Sequence, residues 1–128
     1  MIDRILTLVL FTTLMSASPP VAAEKLVREF SGSRSLYTAD FRVNTPWLID
    51  WSVNSSNPRK MNISVTLIDA KTDSHAGSVL QTMQEGDGLR LMSESGTFRF
   101  RVDAEETYWT IKVFQLNREE AKRYTPKN

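Results

Sequence analysis

Five stretches of this chain alternate apolar and polar residues with a period of two, which commits most of it to half-buried β-strands. Met61-Asn62-Ile63-Ser64-Val65-Thr66-Leu67 is the most regular. Residues 37–43, 47–53, 97–102 and 109–113 follow the same rule, and β-branched and aromatic residues dominate all of them, as strands prefer. Less regular strands are expected over residues 25–30, 78–84 and 89–93. Turn-forming segments separate them: Ser31-Gly32-Ser33, Asn44-Thr45-Pro46, Asn54-Ser55-Ser56-Asn57-Pro58, Glu85-Gly86-Asp87-Gly88 and Glu94-Ser95-Gly96. Short strands at this spacing, with nothing helical between them, predict an all-β fold, an antiparallel β-sandwich of about seven to eight strands.

The alternation also predicts which side chains face inward: Tyr37, Phe41, Val43, Trp47, Ile49, Trp51, Ile63, Val65, Leu67, Phe98, Phe100, Val102, Trp109, Ile111 and Val113. Burying each fully is worth about 1.5–3 kcal/mol. That sum opposes a backbone ordering cost of about 1–2 kcal/mol per residue. Residues 117–128 break the pattern: Arg118 to Tyr124 could make two helical turns but has no apolar stripe, and a frayed polar tail is expected there.

The N-terminal 23 residues follow a different logic. Met1-Ile2-Asp3-Arg4 leads into an apolar run from Ile5 to Met15, then Ser16-Ala17-Ser18-Pro19-Pro20 and the small-residue ending Val21-Ala22-Ala23. This is the layout of a secretory signal peptide cleaved after Ala23. The run is too short for a spanning helix, which needs about 20 apolar residues, and it is closed by two prolines. The expected organisation is a signal peptide at 1–23, a β-sandwich at 24–116 and a tail at 117–128, with the mature protein periplasmic or secreted. Cleavage would leave 105 of the 128 residues, enough for one domain. The chain has no cysteine, so neither a disulfide staple nor an acylated cysteine anchor is available. Sixteen basic residues balance 15 acidic ones, without the basic footprint of a nucleic-acid binder.

Candidate chemistry is sparse. His75 is the only histidine and lies in the polar segment Asp69-Ala70-Lys71-Thr72-Asp73-Ser74-His75-Ala76-Gly77, expected to be a loop. Ser74 and Asp73 adjoin it, but a triad needs three-dimensional alignment that sequence neighbours on a loop rarely provide. One histidine and no cysteine do not make a structural zinc site. Glu85 and Asp87 offer a calcium ion only two carboxylates of the six to eight oxygens it takes. A tight glycine hairpin accounts for that segment equally well. Trp47, Trp51, Trp109, Tyr37, Tyr108 and Tyr124 would form a sugar-stacking platform if exposed, although parity turns the tryptophans inward and only Tyr108 outward. Arg99, Arg101 and Lys112 are expected outward on neighbouring strands, as a small basic patch or as ordinary solvated charge. Asn54-Ser55-Ser56 and Asn62-Ile63-Ser64 match the glycosylation acceptor pattern, which matters only in a eukaryotic secretory pathway.

The order of landmarks carries a resemblance. It runs Phe30-Ser31-Gly32-Ser33, Phe41-Arg42-Val43, Pro46-Trp47-Leu48-Ile49-Asp50-Trp51 and Val65-Thr66-Leu67-Ile68-Asp69. It continues with Gly86-Asp87-Gly88, Gly96-Thr97-Phe98-Arg99-Phe100-Arg101-Val102 and Trp109-Thr110-Ile111-Lys112-Val113. This resembles small exported bacterial β-sandwich domains of uncharacterised function, and its closing part is similar to the C-terminal β-sandwich domains of secreted peptidases. The resemblance implies a strand pattern and a bacterial envelope setting, and it transfers no catalytic, cofactor or metal residue. The function expected is a non-catalytic binding or envelope-structural protein with an unknown protein or glycan partner. The alternatives are a carbohydrate-binding module and a hydrolase using carboxylates such as Asp69, Asp73 and Asp87.

Overall fold

The computed structural model describes residues 24–125, so the expected signal peptide lies outside the described residues. Nine antiparallel strands form two sheets. The first sheet has the order β1-β9-β4-β7, from β1 (Lys25–Gly32), β9 (Tyr108–Gln115), β4 (Trp47–Asn54) and β7 (Gly86–Met92). The second has the order β2-β8-β5-β6, from β2 (Leu36–Tyr37), β8 (Gly96–Glu105), β5 (Asn62–Asp69) and β6 (His75–Thr82). The short β3 (Phe41–Val43) pairs with β8 beyond β2. Among the described residues, only β5 and β6 form a hairpin within one sheet joined by a turn. Most other connections cross from sheet to sheet, the arrangement of a β-sandwich.

The inner faces meet in one core. Phe41, Val43, Trp47, Ile49, Ile63, Val65, Leu67, Phe98, Phe100, Val102, Trp109, Ile111 and Val113 are all buried, as the alternation requires. Aromatic rings knit its centre: Phe41 lies 5.0 Å from Phe100 and 5.7 Å from Trp47, and Trp47 stacks on Phe98 at 5.6 Å.

Two members of the predicted inward set depart from it. Tyr37 is 61% exposed. The expected strand 37–43 is split, which raises the count to nine, and the register explains why: Tyr37 pairs with Arg101 while Phe41 pairs with Phe98. Four steps on one strand match three on its partner, so one residue is extra and the parity reverses, as at a β-bulge. Thr38 turns inward in its place. Its N–H donates to the Phe100 carbonyl and its hydroxyl accepts from the Phe100 N–H, both at 2.9 Å. Trp51 keeps its inward parity but is only half-buried, because its ring extends towards the open edge at β7.

Three further expectations change. Gly86 and Gly88 do not make a glycine hairpin: neither has positive φ, and both belong to β7, after a bend that carries the chain between sheets. His75 is not in a loop but opens β6, opposite Ile68. The described part of the C-terminal segment, residues 117–125, is not frayed. Arg118–Ala121 forms one helical turn, α1, followed by a 3-10 turn at Lys122–Tyr124. A capping box replaces the missing apolar stripe: Asn117 Oδ1 accepts from the Glu120 N–H, and Glu120 Oε1 accepts from the Asn117 N–H, both at 2.8 Å. The Tyr124 hydroxyl then donates to Glu24, tying the two ends of the described chain together.

Candidate functional site

The residues singled out from sequence do not converge. Ser74 Oγ is hydrogen-bonded to Thr72 Oγ1 at 2.6 Å, and Asp73 accepts from Arg99 Nη1 at 2.6 Å. Each neighbour of the exposed His75 is thus engaged elsewhere, and no relay forms through the imidazole. Asp69 Oδ1 accepts the N–H groups of Lys71 (2.8 Å) and Thr72 (3.3 Å), a side-chain turn that closes the β5–β6 hairpin. Asp87 lies on β7, in the opposite sheet. Asp69 and Asp73 thus share one turn, each held by its own hydrogen bonds, and Asp87 is separated from both. Glu85 accepts from the Ser55 N–H at 2.9 Å, and among the described residues no three His, Asp or Glu side chains gather as metal ligands.

The expected basic patch is divided too. Arg99 and Arg101 stand on β8, Lys112 on β9 of the other sheet. Arg99 bridges Asp40 (3.0 Å) and Asp73 (2.6 Å), and Arg101 pairs with Asp103 (3.2 Å). The hydrogen bond to Asp40 raises the Arg99 guanidinium above its ordinary value; desolvation opposes this and Asp73 adds to it. These arginines are structural ties more than a free anion site. Lys112 sits in register between Glu29 and Asp50 on its flanking strands.

The aromatic candidates separate by parity. Trp47 and Trp109 are core residues with anchored indoles: Trp47 Nε1 donates to the Glu94 carbonyl (2.7 Å), Trp109 Nε1 to the Arg34 carbonyl (3.2 Å). Tyr108, one residue before Trp109, faces outward and is 52% exposed.

Tyr108 stands where two shallow depressions meet. One, of about 330 Å³, lies on the outer face of the first sheet among Ser31, Ser52, Asn54 and Thr110. The other, of about 220 Å³, adjoins it among Ser33, Ser56, Glu106 and Thr107. Strand register builds the first: Ser31 pairs with Thr110, Thr110 with Ser52, and Asn54 with Tyr108, all outward positions of β1, β9 and β4. The tight β8–β9 crossing builds the second. Glu106 takes φ of 50° there, and its carbonyl accepts from the Ser55 hydroxyl. The Thr107 hydroxyl, buried beneath, donates to the Glu105 carbonyl at 2.7 Å.

The lining is mostly hydroxyls, with the Asn54 amide, Tyr108, Gly32 and Trp109, and with Glu106 as its one charged residue and no His, Lys or Arg. The hydroxyls can each donate and accept a hydrogen bond, and Glu106 adds an acceptor. Sequence flagged Tyr108 and Trp109 as aromatic candidates, and Asn54 and Ser56 only within a glycosylation acceptor pattern. The serines read as turn formers or strand polars, and what gathers them is lateral pairing of Ser31 on β1 with Thr110 on β9, segments far apart in the chain, for which no local signal exists.

No family model and no curated protein matches this chain.

Proposed function

We propose that this chain is an exported, non-catalytic β-sandwich binding protein of the bacterial envelope whose ligand surface is the Tyr108 depression. The observation that carries the reading is the half-exposed Tyr108 set among outward hydroxyls and the Asn54 amide. A planar ring offers an apolar face, and surrounding neutral donors and acceptors fix orientation, the recipe of a small-ligand site. A near-neutral lining fits a neutral polyhydroxylated ligand, so a glycan segment is the ligand class favoured, bound at Tyr108 rather than at the tryptophans. Export rests on the residue pattern from Met1 to Ala23. A carboxylate-dependent hydrolase has no observation in its favour.

The test is retention of the mature chain on insoluble cell-wall polysaccharide and on a glycan array. Tyr108→Ala and Asn54→Ala are expected to lose retention while melting within about 2–4 °C of the parent, since exposed positions usually change stability by about 0.5 kcal/mol or less. Undiminished retention by Tyr108→Ala would move the ligand elsewhere. A blank array together with unretained parent protein would remove the glycan reading. Mass spectrometry of the native protein tests export: a first residue of Glu24 is expected, and an intact chain in the cytosol refutes it.

A further inference from the structure

Each sheet edge presents backbone groups that lack a strand partner, and proteins ordinarily blunt such edges. Three of the edges here are blunted. β1 carries a register break between Leu26 and Arg28 and exposed charges at Lys25, Arg28 and Glu29. β6 has two irregularities against β5. The opposite edge of that sheet is split into β2 and β3. β7 is different. It pairs with β4 through seven consecutive residues, Gly86 to Met92, without a break. No strand among the described residues occupies its far side, and Leu89 points outward from its middle, 57% exposed.

The sequence of β7 is complementary to itself. Gly86, Gly88, Arg90 and Met92 pair with Val53, Trp51, Ile49 and Trp47, so they hold the inward parity, and Asp87, Leu89 and Leu91 the outward parity. Two antiparallel copies with a two-fold axis through Leu89 would oppose Gly88 to Arg90, Gly86 to Met92, Asp87 to Leu91, and Leu89 to itself. Each inward large side chain then faces a glycine. Moving the axis to Arg90 would set two guanidinium groups against each other, and moving it to Gly88 would leave Leu91 and Met92 unpaired. Only the Leu89 register uses all seven residues without like charges in apposition. In that register Arg90, whose Nη1 donates to the Val79 carbonyl of its own copy at 3.5 Å, stands opposite Gly88 of the second copy.

We propose that β7 is a homodimerisation edge: two copies pair antiparallel through Gly86–Met92 about a two-fold axis at Leu89, joining their four-stranded sheets into one of eight strands. Such an isologous contact closes on itself and leaves no further edge of the same kind exposed. It is independent of the Tyr108 site, which lies on the outer face and not on this edge.

The absence of native cysteine makes the register directly readable. Opposed residues on antiparallel strands have Cα atoms about 4.5–5.5 Å apart, inside the range of about 4.4–6.8 Å that a disulfide bridges. Leu89→Cys in the mature chain should give a covalent dimer under mild oxidation. Asp87→Cys should not, since its two copies would sit about 14 Å apart at about 3.4 Å per residue. An equimolar mixture of Asp87→Cys and Leu91→Cys should give the heterodimer. Sedimentation equilibrium should show the parent mass doubling with concentration, and Leu89→Lys, which places two cations on the axis, should stay monomeric and melt with the parent at dilutions where the parent is itself monomeric. A parent that remains monomeric throughout overturns the proposal. So does equal crosslinking of Leu89→Cys and Asp87→Cys, or a dimer that persists in Leu89→Lys. Crosslinking of Leu89→Cys in envelope extract to a different protein only, with no self-dimer, would assign the edge to a foreign strand and equally overturn it.

Discussion

Gly88 lies directly beneath the indole of Trp51: a methyl group on its α-carbon would sit 2.6 Å from Cζ2 of the ring. Gly32 and Trp109 repeat the relationship at the opposite edge of the same sheet, at 2.9 Å. In each case the tryptophan is on a central strand and the glycine is its registered partner on the edge strand. The ring covers the surface that an edge side chain would otherwise fill, the aromatic rescue of an edge glycine.

Gly88→Ala should therefore destabilise the domain by about 1–3 kcal/mol, the usual cost of overpacking. Gly86→Ala, with nothing within 4 Å of the added carbon, should be neutral or slightly stabilising. Chemical denaturation at low protein concentration separates the two. In a Trp51→Ala background the Gly88→Ala penalty should largely vanish, which a double-mutant cycle reads directly.

Thr38 holds the reversed parity between β2 and β3. Thr38→Val keeps the shape but leaves the buried Phe100 N–H without its acceptor. An unsatisfied buried donor costs about 1–3 kcal/mol, so the midpoint of denaturation should fall accordingly. Thr38→Ser retains the hydroxyl and should lose much less. Equal losses in the two variants would mean that the methyl group, not the hydrogen bond, matters there.

Glu106 occupies left-handed backbone with φ of 50°, a conformation costing about 1–2 kcal/mol for an L-residue. Only its carbonyl is used by the crossing, as the acceptor from Ser55. Glu106→Gly should raise the melting temperature, the relief of strain exceeding the added flexibility of the unfolded chain. A fall in melting temperature would show that the carboxylate contributes more than the strain costs.

Tyr124 gives a pH dependence. Its hydrogen bond to the Glu24 carboxylate raises the phenol above its ordinary 10.0, with partial burial adding to the shift. A raised pKa in the folded state means that the protonated phenol is held more tightly there than in the unfolded chain. The stabilisation is complete at neutral pH up to the unfolded value and is lost as pH rises through the folded one. The difference in melting temperature between the parent and Tyr124→Phe should be constant near neutrality and close above about pH 10. A difference that widens with alkali would reverse the assignment.

Alternation alone determines the all-β class and nearly all of the core, because a period of two allows a strand only one way to bury its apolar side. Residues 61–67 and 109–113 show this without exception to the expected parity. What alternation does not carry is lateral position. Arg99 and Lys112 look like neighbours along the chain, yet they stand on different sheets, because consecutive strands here usually cross the sandwich. Tyr37 has the apolar parity but faces solvent, because one extra residue opposite β8 reverses the pattern. The Tyr108 depression is invisible for the same reason: Ser31, Ser52 and Thr110 become neighbours only through registered pairing of β1, β4 and β9. Gly88 reads as a turn residue until the Trp51 ring is seen above it. Local residue chemistry thus decides which face of each strand is buried. The tertiary structure decides which strands lie side by side, since that depends on contacts between segments far apart in the chain.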